Sequence, residues 1–512
     1  MIDSPARTSK IFHVLLTLLF LAPSLLSAAT INVPTGGNLQ AAIDAAQPGD
    51  TIVLPAGARF EGSFILRYKP GASTDWITIR TSTPDTSLPP GERVTPADAP
   101  LLAKILSPGL AQPAIQTEPR AHHYRLIGLE IAPRDAQAFL YDVILLGTNG
   151  PEQDTFEEVP HHIVLDRCYI YAHPTQNLKR GIQLNSAHTD ILDSYIAGFK
   201  VIGQEAQAIG GFNGPGPYKI INNYIEGAGE NILFGGATAS IPNLIPSDIE
   251  IRRNHFFKPL SWHVGDPSYA GYHWTVKNLF ELKNARRVVI DGNIFENNWV
   301  DAQAGMAILF TIRSEDGAMP WATVEDVQFT NNILRNTPGA FNILGRDDGG
   351  PSQRASRITI RNNVLEDVSD RFLVVTDSAD VTIDHNTVFH GGSITGAYGV
   401  PSDGFVFTNN LMAHNTYGFH GDSQSSGNGT LNAYFPGAVF RRNLIAGANP
   451  AFYPPDNFYP PLLDDARFVD RSGGNYRLAP DSPYRNQGTD GKDVGADIGV
   501  LEERTSGVRS GV

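Results

Sequence analysis

Val288-Val289-Ile290-Asp291-Gly292-Asn293-Ile294-Phe295 has a form that the chain repeats: an alternating β-branched run, a short corner, then a tripeptide usually led by Asn. The tripeptide recurs as Leu129-Glu130-Ile131, Cys168-Tyr169-Ile170, Ser194-Tyr195-Ile196, Asn223-Tyr224-Ile225, Asn254-His255-Phe256, Asn332-Ile333-Leu334, Asn363-Val364-Leu365, Asn386-Thr387-Val388, Asn410-Leu411-Met412 and Asn443-Leu444-Ile445. Successive copies begin 39, 26, 29, 31, 39, 39, 31, 23, 24 and 33 residues apart. A floor of 23 with variable excess is what a solenoid gives when its rungs share a core length and differ in their loops.

Short strand patterns alternate with small or polar corners, and no helical period runs through the repeat. Leucine-rich repeats need Leu at fixed offsets, and propeller blades need a period of roughly 40. Steps of 23 and 24 fit neither. The reading is all-β: a single-stranded right-handed parallel β-helix. Asn suits a sharp corner because it tolerates the left-handed conformation and bonds local backbone. On stacked rungs its amides are expected to form a ladder.

Arg7 and Lys10 precede an apolar run from Ile11 to Leu26, closed by Ser27-Ala28-Ala29. This predicts a signal peptide over 1–29, a secreted or periplasmic protein and no membrane span. The coil is then expected over 30–449, with a C-terminal cap or tail over 450–512. Asn38 caps a short amphipathic segment from Leu39 to Ala46, the expected lid over the open N-terminal end of the coil. Ala46-Gln47-Pro48-Gly49-Asp50-Thr51-Ile52-Val53-Leu54-Pro55 resembles the opening of pectin-lyase-fold proteins. Gly495-Ala496-Asp497-Ile498-Gly499 resembles the closing segment of many secreted bacterial β-helix proteins.

The chain carries 39 basic and 53 acidic side chains; setting aside Asp3, Arg7 and Lys10 leaves 37 and 52, a net charge of −15. Nucleic acid and anionic membranes are thereby poor partners. A single Cys excludes an intramolecular disulfide framework, and Cys168 stands where other rungs place Asn. The oligomeric state is not legible.

Between Arg252 and Arg287 seven basic residues face only Asp266 and Glu281, a local excess of five positive charges. That segment coincides with the two consecutive 39-residue rungs, whose insertions hold Trp262, His263, Tyr269, Tyr272, His273, Trp274, Trp299 and Trp321. Insertions in solenoids fall on loops and often build the binding face. Aromatic rings there suit the C–H faces of sugars, although long loops also need apolar anchors of their own.

Aligning the strands before the next corner sets Gln183-Leu184-Asn185, Gly211-Phe212-Asn213, Leu233-Phe234-Gly235, Glu281-Leu282-Lys283, Thr311-Ile312-Arg313 and Ile343-Leu344-Gly345 in columns. The apolar middle column points inward and the flanking columns outward. Lys283 and Arg313 then stand side by side on neighbouring rungs, with Glu281 close by. Like charges so placed repel unless they have a task.

Phe280-Glu281-Leu282-Lys283-Asn284, Val288 to Asn293 and Ile308 to Arg313 resemble the active strip of polysaccharide lyase family 6, which contains chondroitinase B and β-helical alginate lyases. The resemblance implies β-elimination of an acidic, uronate-containing polysaccharide, with Lys283 and Arg313 as catalytic residues. Lys283, desolvated beside Arg313, is the expected base, and Arg313 the stabiliser of the enolate-like intermediate. Lys277, Glu281, Asn213, His273, Trp262, Tyr272, Trp274 and Trp299 are the expected substrate-binding residues. The family carries acidic calcium ligands shortly before the Lys, where this chain has Val276, Lys277 and Asn278. That puts Ca2+ use in doubt; nothing else in the sequence requires a cofactor, and Lys277 offers positive charge in its place.

His255 and His273 are alternative bases, and Glu226 and Glu230 are candidate metal ligands or turn residues. A glycoside hydrolase with paired carboxylates is the main competitor, drawing on Asp301, Asp347, Asp348 and Asp377. Asp347-Asp348 before Gly349-Gly350 also reads as a turn. A non-catalytic carbohydrate-binding or surface protein is the third reading, because this fold hosts all three.

Overall fold

The computed structural model describes residues 1–2, 28–71 and 73–510. The expected signal-peptide run from Ile11 to Leu26 lies outside them. The described chain winds into a right-handed parallel β-helix whose turns each carry up to three strands. The first face is a parallel sheet of fourteen strands, which includes Ser247–Arg252, Ala285–Asp291 and Val324–Thr330. The second face follows the Asn corner, as in Ile294–Glu296, and the third follows the loop, as in Met306–Thr311. Ile333–Leu344 and Val364–Thr376 run on from the second face into the third without a break, so the two faces share one sheet of twenty-three strands.

Alternation drives the closure. Val288 and Ile290, with Val327, Phe329, Ile358, Ile360, Val381 and Ile383 on later rungs, are all buried and stack into one continuous interior. Their sequence neighbours point outward, as strand geometry requires.

The corner Asn residues form a ladder. Asn223, Asn254, Asn293, Asn332, Asn363, Asn386, Asn410, Asn443 and Asn457 are linked in order, each after Asn223 accepting at Oδ1 from the backbone N–H and Nδ2 of the rung before. The left-handed residue, however, is the one just before the Asn: Asn222, Arg253, Asn331, Asn362, His385, Asn409 and Arg442 have φ between 51° and 58°. The Asn is selected for its amide, which bridges rungs, and its neighbour makes the turn. Cys168 takes a ladder position, where burial pushes its thiol up to about 12.

The helix Leu39–Ala45 covers the N-terminal end, with Asn38 Oδ1 accepting from Ala41 N and Leu39, Ala42 and Ile43 buried in the core. At the other end Tyr453 is buried and Asn457 completes the ladder. Within the expected cap, residues 489–508 then run back along the outside of the Asn corner as a strap. Ala496 N bonds Thr387 Oγ1, Asp497 N bonds Asn362 Oδ1, and Arg253 and Arg93 donate to the carbonyls of Ser506 and Val508. The helix Ile498–Thr505 lays Ile498 and Leu501 on Val364 and Ile333. No described helix is long and apolar enough to cross a membrane.

Candidate active site

An open cleft of about 570 Å³ runs over the outer surface of the third face. Its floor is two outward columns. Glu281 pairs with Leu309 and Leu309 with Asn342; beside them lie Lys283, Thr311 and Leu344. Glu205, Lys277, Gln303, Met306, Arg313 and Tyr398 complete the walls. The true register differs from the one read in sequence, which matched Glu281 with Thr311. A slip of two residues preserves apolar alternation, so the pattern alone cannot detect it. Gly210, not Gly211, pairs with Gln183 and Leu233, because glycines give alternation nothing to mark.

Lys283 and Arg313 nevertheless line the same cleft, and the Arg313 N–H donates to the Lys283 carbonyl at 3.1 Å. They do not meet as unscreened like charges. Lys283 Nζ lies 3.8 Å from Glu281 Oε1, with 15% of its side chain exposed. Arg313, 36% exposed, binds Asp347 at 3.2 Å and Asp348. Gly236 matters here: a Cβ on it would come 2.7 Å from Lys283 Cδ, so glycine lets the lysine lie along the wall.

Beneath Lys283 three carboxylates surround one ammonium. Lys277 Nζ reaches Glu205 at 2.5 Å and Glu230 at 2.9 Å, while Gln207 Nε2 donates to the other oxygen of Glu230. Glu281 is held by Asn278 and Thr311. Burial opposes the charge on Lys277, yet Glu230, Glu281 and Glu205 outweigh it and hold the ammonium above the ordinary lysine range. Burial pushes the fully enclosed Glu230 carboxyl up against the pull of Lys277. Lys258 anchors the turn that delivers Glu230. Its buried Nζ donates to the carbonyls of Gly227, Ala228 and Gly229 and to Asn231 Oδ1, and burial lowers it to about 7. Lys258→Met is expected to take the ammonium donor from the Gly227 carbonyl and Asn231 Oδ1 and destabilise the fold by about 2–6 kcal/mol, read as a lowered urea midpoint.

The other expected binding residues lie elsewhere. Trp262, Trp274 and Trp299 are buried with Ala228 and Val276 in a small core of their own, so they anchor the long loop instead of rimming the cleft. Trp262 and Trp274 also back a groove on the second-face side, shared with Tyr169, Tyr195, Lys200 and Glu226. Tyr272 is exposed and stacks on Trp274 at 5.4 Å. His273 reaches Asp301 at 2.6 Å and does not line the cleft. Asn213 is fully buried, bonding the carbonyls of Thr148 and Gln153 and the N–H of Ile241. His255 is buried against Glu296 at 2.5 Å.

The basic run disperses as well: Arg252 pairs with Glu250 and Asp291, Arg287 with Asp248, and Arg253 ties down the strap. The carboxylates of the hydrolase reading are each engaged. Asp347 accepts from Ser314 N and Gly349 N, Asp377 pairs with Arg346 and Arg354, and Asp301 accepts from Val276 N.

Sequence reading missed Glu205, Gln303, Asn342 and Tyr398. Asn342 Oδ1 is buried without a partner among the described residues while its residue lines the cleft, which marks it as a group awaiting a donor. Its place in the column with Glu281 was the available signal, hidden by the slipped register.

No family model matches the chain, and no curated protein matches it. Among solved structures it is similar in fold to the PL6 family alginate lyase AlyGC, with a TM-score of 0.50 and 14% identity, over 94% of this chain and 59% of that one. This chain therefore spans less than two thirds of that enzyme's length. A second likeness is to the catalytic unit of a GH87 α-1,3-glucanase from Streptomyces thermodiastaticus, with a TM-score of 0.49 and 12% identity, over 82% of this chain and 69% of that one. At these identities the likeness is one of fold.

Proposed function

We propose that this protein is a secreted polysaccharide lyase that cleaves a uronate-containing glycan by β-elimination in the third-face cleft. The observation that carries the reading is the convergence of Lys283 and Arg313, from adjacent rungs, on one open groove. The fold likeness to an alginate lyase is consistent with it. The charged stretch before Ile11 and the apolar run behind it support export.

In the proposed reaction Lys283 Nζ takes the C5 proton. The C5–H electrons form a C4–C5 double bond, and the C4–O bond breaks with its electron pair on the bridging oxygen, which is then protonated. Arg313 faces the negative charge that builds on the uronate carboxylate, where a preorganised donor contributes most. Asn342 lines the same cleft.

Lys277 does the work of a bound cation. Glu205, Glu230 and Glu281 would make an oxygen set for Ca2+, but the ammonium already sits between two of them, so the residues present do not fit an ion there. Elimination is accordingly expected to survive prolonged EDTA treatment unchanged, measured as initial rate before and after dialysis.

Incubation with alginate, polygalacturonate, and chondroitin or dermatan sulfate, followed by ultraviolet absorbance, tests the reading. A new conjugated double bond on one of these glycans is the expected result. New reducing ends without absorbance would replace the lyase with a hydrolase, and binding without cleavage would replace it with a carbohydrate-binding protein.

A further inference from the structure

Five histidines collect at the start of three consecutive first-face strands, well N-terminal of the cleft: His122 and His123, His161 and His162, and His188. Their spacing is that of the coil. His162 follows His123 by 39 residues and His188 follows His162 by 26, the same steps that separate the tripeptides of those rungs. His161 pairs with His122 and with Ala187, so His123, His162 and His188 form one column. Their rings stack at 4.6 and 4.4 Å, and His122 stacks on His161 at 5.1 Å.

Neighbouring residues of a regular strand point to opposite faces. Here His123 and His162 have φ of 59° and 54°, which breaks that alternation and turns both rings of each doublet to the same side. The Nδ1 atoms of His122 and His123 come within 2.8 Å, and those of His161 and His162 within 2.7 Å. Two imidazolium rings cannot make such a contact, since both nitrogens would be donors. Later rungs fill the same column differently. Asp248, Arg287, Asp326 and Arg357 alternate in sign and pair at 2.7 and 2.5 Å. The histidine rungs have no such complementary charge within the column.

We propose that His123, His161 and His162 form a binding site for one divalent transition-metal ion of the Zn2+ or Cu2+ kind, which ties two turns of the coil together. One ligand nitrogen from each of the three lies within 4.8 Å of the others. Imidazole nitrogen suits these ions, whereas Ca2+ and Mg2+ demand oxygen. Three His ligands leave a fourth position for water. Metal–nitrogen distances near 2.0–2.1 Å require the Nδ1 atoms of one doublet to part slightly, which ring rotation allows at a partly exposed edge. Trp76, edge-on to His123 at 5.2 Å, closes the N-terminal side.

The test uses the untagged, metal-stripped chain. Calorimetric titration with ZnCl2 is expected to give one saturable site per chain, matched by CuCl2 and not displaced by excess CaCl2. The double variant His161→Gln/His162→Gln is expected to weaken Zn2+ binding by more than about 100-fold, beyond the loss that follows removal of a mere supporting partner. Should that variant fold poorly, Co2+ added to the native chain provides the second readout: the intense visible bands of a four-coordinate ion are expected. An absence of saturable Zn2+ binding, unchanged binding in a folded double variant, or a Co2+ spectrum like that of the hydrated ion would each overturn the proposal.

Discussion

Lys283→Ala is expected to lower the turnover of elimination by about 10²–10⁴-fold, the range that a positioned general base contributes. The fold should not change, because the lysine lines the open cleft and its Glu281 neighbour is 3.8 Å away. Lys283→Arg sharpens the test. Arginine keeps the positive charge and the partnership with Glu281, but it cannot surrender a proton near neutral pH. If Lys283 is the base, the arginine variant falls nearly as far as the alanine variant; if the lysine merely attracts a uronate, arginine retains most of the activity. Arg313→Ala is expected to cost about 10²–10³-fold, as for loss of a donor to developing negative charge. These comparisons are read from steady-state initial rates on the glycan that responds, with circular dichroism as the check on folding.

Asn332→Ala is the second large effect, on stability. Asn332 Nδ2 donates to Ile290 O and Asn363 Oδ1, and its Oδ1 accepts from the N–H and Nδ2 of Asn293. Alanine removes four buried hydrogen bonds at about 0.5–1.5 kcal/mol each, and the Asn293 N–H loses its Oδ1 acceptor, so a loss of about 3 kcal/mol is expected. In a coil whose strands pair only with the rungs before and after, that loss falls on the centre of the stack. Asn457→Ala, at the partly exposed end of the ladder, should cost far less. Urea unfolding of the two variants beside the parent chain compares them directly, and an Asn332→Ala midpoint equal to the parent's would remove the ladder from any part in stability.

The coil was legible because its information is periodic. Recurring Asn tripeptides, β-branched alternation and a minimum step of 23 residues specify stacked turns without any knowledge of loops. The Asn38 cap was legible because a cap is a local device. Counting rungs also brought Lys283 and Arg313 together, since the corner between third and first faces can be located in every turn. The strand register was less accessible, because alternation of period two tolerates even slips and Gly210 and Gly211 record nothing.

Long-range assembly escaped altogether. Lys277 meets Glu205 across 72 residues, and no local pattern predicts which loop delivers a partner from two rungs away. The Trp residues show the opposite difficulty. Their clustering in the long insertions was plain, yet composition cannot distinguish a sugar platform from the apolar anchor that a long loop needs, and Trp262, Trp274 and Trp299 serve as the anchor. The strap was hidden too, because its hydrogen bonds run from backbone groups of 496–508 to corner residues far earlier in the chain.

The most direct test of the cleft's chemistry is digestion of the responsive glycan in H2(18)O, with products weighed by mass spectrometry. Elimination breaks the chain without adding water, so the expected products carry a double bond and incorporate no heavy oxygen at the cleaved bond. One atom of 18O per cleavage, with no ultraviolet absorbance, would contradict the account and assign the cleft to hydrolysis.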